Sequence, residues 1–231
     1  MLHEDIAQLT VISEFLQASP YFFGLSSSAI DSISKLIFEK LAGKGELIIR
    51  EGEPGEALYF VASGAVKCFK TSEEGKEQIL QIVLPGDSFN DAAVFDDGPN
   101  PASGEAMSSV VLYGITKRDM EGILQDNQEV VANAVRVLAG RIRHLLDLVE
   151  DLSFRRVTGR IARLLLEHVG DGSGSGPRLT QQEMAAAVGT AREVVGRSLK
   201  TLHEGGAIRM ERNRLVIVNK EALVQMARSA A

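Results

Sequence analysis

The chain has one cysteine, no tryptophan and only four histidines in 231 residues. It also has no uninterrupted apolar run near the roughly 18 residues that a membrane span requires. Each scarcity excludes something. A single Cys68 cannot form a disulfide or an all-cysteine zinc or iron-sulfur site within one chain, and its setting "VKCF" is that of a buried structural thiol. Residues 41–116 contain no histidine, so a metal-assisted barrel lacks ligands there, and no nucleophile stands beside a base. The pattern is therefore not that of an enzyme, and no metal is expected. The opening "MLHEDIAQ" lacks the basic and apolar regions of a signal peptide, which predicts a cytoplasmic protein without a membrane partner.

The net charge of −6 hides an asymmetry. Residues 1–153 carry 12 Lys+Arg against 24 Asp+Glu, whereas residues 154–231 carry 13 against 7. An acidic body with a basic C-terminal segment is the footprint of a protein in which one domain meets phosphates.

Residues 5–18 and "SSSAIDSISKLI" have helical spacing, the second behind N-cap-type serines. From about 41 to 116 the text becomes short β-rich runs, "ELII", "ALYFVAS", "AVKCFKT", "QILQIVL" and "SSVVLYGI", punctuated by Gly- and Pro-containing turns. That punctuation predicts an antiparallel barrel or sandwich. A short helix over 118–125 precedes a Pro-free run, "NQEVVANAVRVLAGRIRHLLDLVEDL". Within it Val131, Ala134, Leu138, Arg141, Leu145, Leu148 and Leu152 recur at alternating spacings of three and four, the pattern of a coiled-coil seam between two copies. A helix packed on its own domain would give a similar pattern. Arg141 suits a register-setting position or a contact with a ligand or acidic partner. A further helix, "RVTGRIARLLLEHV", leads to "GDGSGSGPR", read as a surface loop. The divisions are 1–126 for a β-rich sensing domain with flanking helices, 127–153 for a dimerisation helix and 154–231 for a nucleic-acid-binding domain.

The stretch "LTQQEMAAAVGTAREVVGRSLKTLHEGG" carries the functional reading. Thr180 with Glu183 and Thr190 with Glu193 both have capping-box spacing, so helices should start at Gln181 and Ala191 around a positive-φ turn at Gly189. This is a helix-turn-helix pattern. Val195, Leu199 and Leu202 share one face of the second helix, and Glu193, Arg197 and Lys200 share the other. Arginine pairs bidentately with guanine and glutamate accepts from cytosine, which makes Arg192, Glu193 and Arg197 the base-reading set. Thr190, Arg178, Ser198 and Lys200 suit phosphates. "AIRMERNRLVIV" reads as a β-hairpin wing whose Arg212 and Arg214 could touch the DNA backbone.

With these motifs in place the chain resembles the bacterial regulators that include the cAMP receptor protein and the fumarate-nitrate regulator. The similarity lies in "FFGL", "GELIIREGEPGEALYFVASGAVK", "LPGDSF", "LSFRRVTGRIARLL" and "TAREVVGRSLKTLHEGGAI". It implies an α+β architecture: a cyclic-nucleotide-binding-like β-roll of the jelly-roll type, a long dimerisation helix, and a C-terminal winged helix-turn-helix. It also implies a homodimer on a palindromic DNA site, RNA polymerase as a partner if the protein activates, and an effector in the β-roll acting through a hinge near Phe154. Ser198 stands where the family more usually has an apolar residue.

The effector positions depart from the family. Members that bind cAMP carry a Gly-Glu pair and later an Arg-Ser pair, where this chain has Asn90-Asp91 and Pro101-Ala102. Without that arginine a cyclic phosphate would meet Asp91 with no matching cation, so cAMP binding is expected to be weak or absent. The cysteine cluster of the family's iron-sulfur branch is missing. Haem stays open, with His144, near Arg141 on the long helix, or His3 across a dimer as ligands. An effector-independent protein with a degenerate pocket also stays open.

Overall fold

α1 (Leu2–Ala18) and α2 (Ser27–Ser34) lie where helical spacing places them, and the Ser26 side chain caps α2 by accepting from the Ala29 amide at 3.3 Å. This computed structural model describes residues 2–96, 98–168, 178–211 and 214–228. The strands follow as β1 (Phe38–Ala42), β2 (Leu47–Ile49), β3 (Ala57–Ser63), β4 (Val66–Thr71), β5 (Glu77–Val83) and β6 (Ser88–Phe89). A five-residue helix, α3 (Asp91–Phe95), interrupts them before β7 (Ser103–Ala106) and β8 (Val110–Thr116). Sequence spacing did not separate α3 from its turn. Asn90 enters it at φ 71°, a left-handed conformation that asparagine tolerates better than most residues.

The strands form two four-stranded sheets, ordered β1-β8-β3-β6 and β2-β7-β4-β5. β8 pairs antiparallel with both β1 and β3, and β2 pairs antiparallel with β7. β3 is buried on both faces, and the two-residue period of a strand assigns its side chains to two different cores. Ala57, Tyr59 and Val61 join Ile48, Val66, Val83, Phe89, Ala106 and Leu112, residues drawn from both sheets. Leu58 and Phe60 instead join Leu16, Tyr21, Phe22, Ile30, Met120 and Val130, which belong largely to helices.

α4 (Lys117–Asp126) is capped by the Thr116 hydroxyl, and α5 (Gln128–Phe154) is the long helix. After it come α6 (Val157–His168), α7 (Gln181–Val188), α8 (Arg192–Glu204), the hairpin of β9 (Ile208–Glu211) and β10 (Arg214–Ile217), and α9 (Lys220–Arg228). The wing is thus a two-stranded antiparallel hairpin, as alternation predicts. α9 closes the C-terminal core, placing Leu223 and Ala227 against Ile161, Leu165, Val195 and Leu202.

Two compact units result: residues 1–68 with 82–144, and residues 69–81 with 145–231. α5 contributes its first part to one unit and its second part to the other. Among the described residues no helix is long and apolar enough to cross a membrane. The loop expectation at 171–176 lies outside the described residues.

Candidate functional site

The helix-turn-helix is built on one reciprocal cap and one glycine. Glu183 N donates to the Thr180 hydroxyl at 3.1 Å, and Thr180 N donates to the Glu183 carboxylate at 2.6 Å, so α7 begins with both bonds of a capping box. Gly189 ends α7 at φ 65°, ψ 47°, and a Cβ there would lie 2.6 Å from Cδ2 of Leu152. The positive φ requires glycine, whereas the Leu152 methyl is the end of a flexible, exposed side chain that can move aside.

The second helix corrects the expectation. α8 starts at Arg192, one residue later than predicted, with Ala191 at the N-cap and no side-chain capping bond. Thr190 therefore does not form a capping box with Glu193, and the Glu193 carboxylate is not used to start the helix. Arg192, Glu193, Arg197 and Lys200 are all exposed, whereas Val195, Leu199 and Leu202 are buried in the C-terminal core. Lys200 lies 3.7 Å from Glu204 in a fully exposed pair, too weak a contact to withhold it from a phosphate. Ser198 is not on this face. It is buried and accepts a hydrogen bond from the Thr158 hydroxyl of α6 at 3.2 Å, so it is a partnered polar core residue and not a phosphate contact. Arg178 is exposed just ahead of α7, and Thr190 is partly exposed in the turn. Arg212 lies outside the described residues, and only the backbone of Arg214 is described.

The N-terminal unit contains a second polar constellation. Asp91, at the start of α3, is buried, and the Nε of Arg141 from α5 lies 3.3 Å from its Oδ2. Ser88 donates to Asp91 Oδ1 at 3.1 Å, and Tyr21 donates its hydroxyl to the same oxygen. Arg141 Nη2 in turn donates to the Ser88 carbonyl at 2.5 Å and to Ser88 Oγ at 3.1 Å. Three stretches far apart in sequence meet here, at Tyr21, at Ser88 with Asp91, and at Arg141. Burial, reinforced by the Asp91 charge, pushes the Tyr21 hydroxyl far above the ordinary tyrosine range, so it remains a donor. Asn133, also on α5, donates to the carbonyls of Tyr21 at 3.1 Å and Phe23 at 2.8 Å.

Asp91 therefore does have a matching cation, contrary to expectation, and that cation comes from α5. Of the predicted pocket set, Asp91 and Arg141 are brought into contact. Asn90, next to Asp91 in sequence, is buried and donates to the Ala57 carbonyl at 3.0 Å, Pro101 is exposed, and Ala102 is buried. His144 is exposed, and the His3 side chain lies outside the described residues. Tyr21 escaped sequence reasoning because its partner Asp91 lies 70 residues away, and Ser88 because the Arg141 that joins it to the cluster lies 53 residues away, although Asp91 is only three residues from it. Cys68 is partly buried against the inter-sheet core, and desolvation pushes its thiol up to about 12, which keeps it protonated. Among the described residues there is no cluster that could hold a metal ion.

Along α5 the residues expected at a seam do not all share one exposed face. Ala134 is 6% exposed inside its own unit's core, and Arg141 is engaged with Asp91. The outward stripe is instead Val131, Val135, Leu138, Ile142, Leu145, Val149 and Leu152, in which Leu138 is half-buried, as is Leu148 outside it. Both sets obey the three-four alternation, and the packing of the first turns on the β-roll selects between them.

A β-roll carrying a long helix with an exposed apolar stripe, followed by a winged helix-turn-helix whose second helix exposes two arginines, defines a DNA-binding regulator. Residues 39–127 match the cyclic nucleotide-binding domain family, and residues 159–226 match the Crp-like helix-turn-helix domain family. The chain is 33% identical over 224 residues to a "CRP-like cAMP-activated global transcriptional regulator" of Mycobacterium tuberculosis (strain ATCC 25618 / H37Rv), covering 94% of this chain and 100% of that one. It is 32% identical over 195 residues to the "Cyclic AMP receptor protein" of Thermus thermophilus, covering 84% of this chain and 90% of that one. Among solved structures, FixK2 from Bradyrhizobium japonicum superposes with a TM-score of 0.75 at 27% identity, covering 84% of this chain and 99% of the other. The chain belongs to the Crp/Fnr family of DNA-binding transcription regulators.

The cAMP in these relatives' names is a property of those proteins. Pro101 and Ala102 offer no cation, and the Arg141 guanidinium already faces a carboxylate.

Proposed function

We propose that the protein acts as a homodimer that reads a palindromic DNA site through Arg192, Glu193 and Arg197, under control of a signal other than cAMP sensed in the N-terminal unit. The observation that carries this reading is α8 itself. Its buried face is fully used by the C-terminal core, while its opposite face presents two arginines and an uncapped carboxylate in the first turns, where a recognition helix meets base edges. Thr190, Arg178, Lys200, Arg212 and Arg214 position the protein on phosphates. The exposed apolar stripe of α5 joins the two copies and spaces the recognition helices about 34 Å apart, one turn of B-DNA.

The test is selection of a binding site from random duplexes, followed by affinity measurements at fixed salt. Arg192→Ala and Arg197→Ala should each lose about 1 to 3 kcal/mol at the selected site and relax preference at one base pair. Lys200→Ala should weaken selected and random DNA alike. Equal losses on both DNAs for Arg192→Ala would remove it from base readout. Calorimetry with cAMP should give no saturable heat, and micromolar affinity would overturn the choice of effector class.

A further inference from the structure

We infer, on the reading of α8 as the DNA-recognition helix, that Val194 is a further specificity-determining residue and that it reads the 5-methyl group of a thymine. α8 has four apolar side chains, Val194, Val195, Leu199 and Leu202. Three of them are buried in the C-terminal core, Val195 and Leu202 completely. Val194 is partly exposed, and among the described residues it is not one of those packed on that core. Helix formation does not call for it either. A β-branched side chain loses freedom in a helix and forms one less readily than alanine. At the start of α8 the bond Val194 makes is a backbone one, its N–H donating to the Ala191 carbonyl at 3.0 Å.

The place of this side chain suits a base edge. Val194 follows Glu193 in the first turn and precedes Arg197 by three residues, which sets it about 60° from Arg197 around the helix and one turn nearer the N-terminus. The first turns of a recognition helix are the part that meets base edges, so Val194 sits beside the charged readers at their own depth in the groove. Arginine and glutamate answer to hydrogen-bonding edges, whereas the apolar feature that the major groove offers is the thymine 5-methyl group. A valine suits it because its two methyls are held in few rotamers, and little freedom is lost on contact.

Deoxyuridine in place of thymine removes the methyl and keeps every hydrogen-bonding group, which gives a direct test. In the site that the full-length protein selects from random duplexes, each thymine is replaced singly by deoxyuridine and affinity is measured at fixed salt. One thymine in each half-site, next to the base pair whose preference Arg197→Ala relaxes, should lose about fourfold in affinity on replacement, the worth of one buried methyl. Val194→Ala should bind the thymine and deoxyuridine duplexes equally, with its urea unfolding midpoint unchanged, so that the two changes do not add. Deoxyuridine sensitivity that survives in Val194→Ala assigns the methyl to another side chain and overturns the inference. Wild type indifferent to deoxyuridine at every thymine, or Val194→Ala weakening selected and random DNA alike, overturns it too and leaves base reading by Arg192 and Arg197 standing. A wild type that selects no sequence overturns the reading of α8 and the role of Val194 with it.

Discussion

Arg155 Nε lies 2.5 Å from Oδ1 of Asp151, one helical turn before it, at the point where α5 ends and α6 has yet to begin. Arg155 Nη1 also donates to the Ala227 carbonyl of α9 at 2.7 Å, and Arg163 of α6 reaches the same Asp151 oxygen at 3.2 Å. One mostly buried carboxylate thus holds two arginines and, through them, three helices of the C-terminal unit. Removing Arg155 by alanine substitution should lower the stability of this unit by about 2 kcal/mol. Asp151→Asn, which weakens both pairs, should cost more than Arg155→Ala in scanning calorimetry, and the opposite order would show that the two arginines do not depend on Asp151.

The two threonines of the helix-turn-helix should behave differently. Thr180→Ala removes a formed cap and should cost about 1 kcal/mol in urea unfolding. Thr190→Ala removes no cap and should leave stability within about 0.5 kcal/mol of wild type. Glu193→Gln should likewise leave stability unchanged while altering base preference in the selected DNA site. A stability loss at Glu193 would mean that its carboxylate serves the helix.

The α5 stripe makes a prediction about assembly. Ile142 and Val149 are 61% and 59% exposed, so Ile142→Asp or Val149→Asp should leave the fold intact and yield a monomer in sedimentation equilibrium at micromolar concentration. Ala134→Asp places a charge in the core and should unfold the N-terminal unit instead, visible as lost near-ultraviolet circular dichroism. A dimeric Ile142→Asp/Val149→Asp double variant would move the interface elsewhere.

Tyr21 makes a pH prediction with a definite sign. Its folded-state pKa lies above the ordinary tyrosine value of 10.0, because of burial first and Asp91 second. Below pH 10 both folded and unfolded chains hold the proton, and its contribution is complete. As pH rises past 10 the unfolded chain releases the proton first, so stability falls. Tyr21→Phe lacks this loss, so the stability gap between wild type and Tyr21→Phe should narrow by about 1.4 kcal/mol per pH unit above 10. Tyr59 and Tyr113, also raised by burial, are common to both proteins and cancel. A constant gap would show that Tyr21 ionises normally.

Much of the molecule was legible because it rests on local physics. Spacing of apolar residues identified α1, α2, α4, α5 and α6, turn residues bounded the β-roll, and Thr180, Glu183 and Gly189 announced α7 and its turn. Capping chemistry misled once, at Thr190 and Glu193, because the correct spacing does not guarantee that the chain presents the hydroxyl to the amide. α9 carries an amphipathic pattern too short to separate from the end of the chain.

What the sequence by itself determined is the charge division, the α+β order, the helix-turn-helix and the shared exposed position of Arg192, Glu193 and Arg197 on its second helix. These follow from periodicities and short-range bonds within about four residues. Only the tertiary structure decided that Arg141 faces Asp91, that Ala134 belongs to the core while Val135 and Ile142 face outward, and that Ser198 is a core residue hydrogen-bonded to Thr158. Those outcomes depend on partners 40 or more residues away, and a helical repeat of three and four leaves two adjacent stripes equally apolar until packing on the β-roll buries one of them.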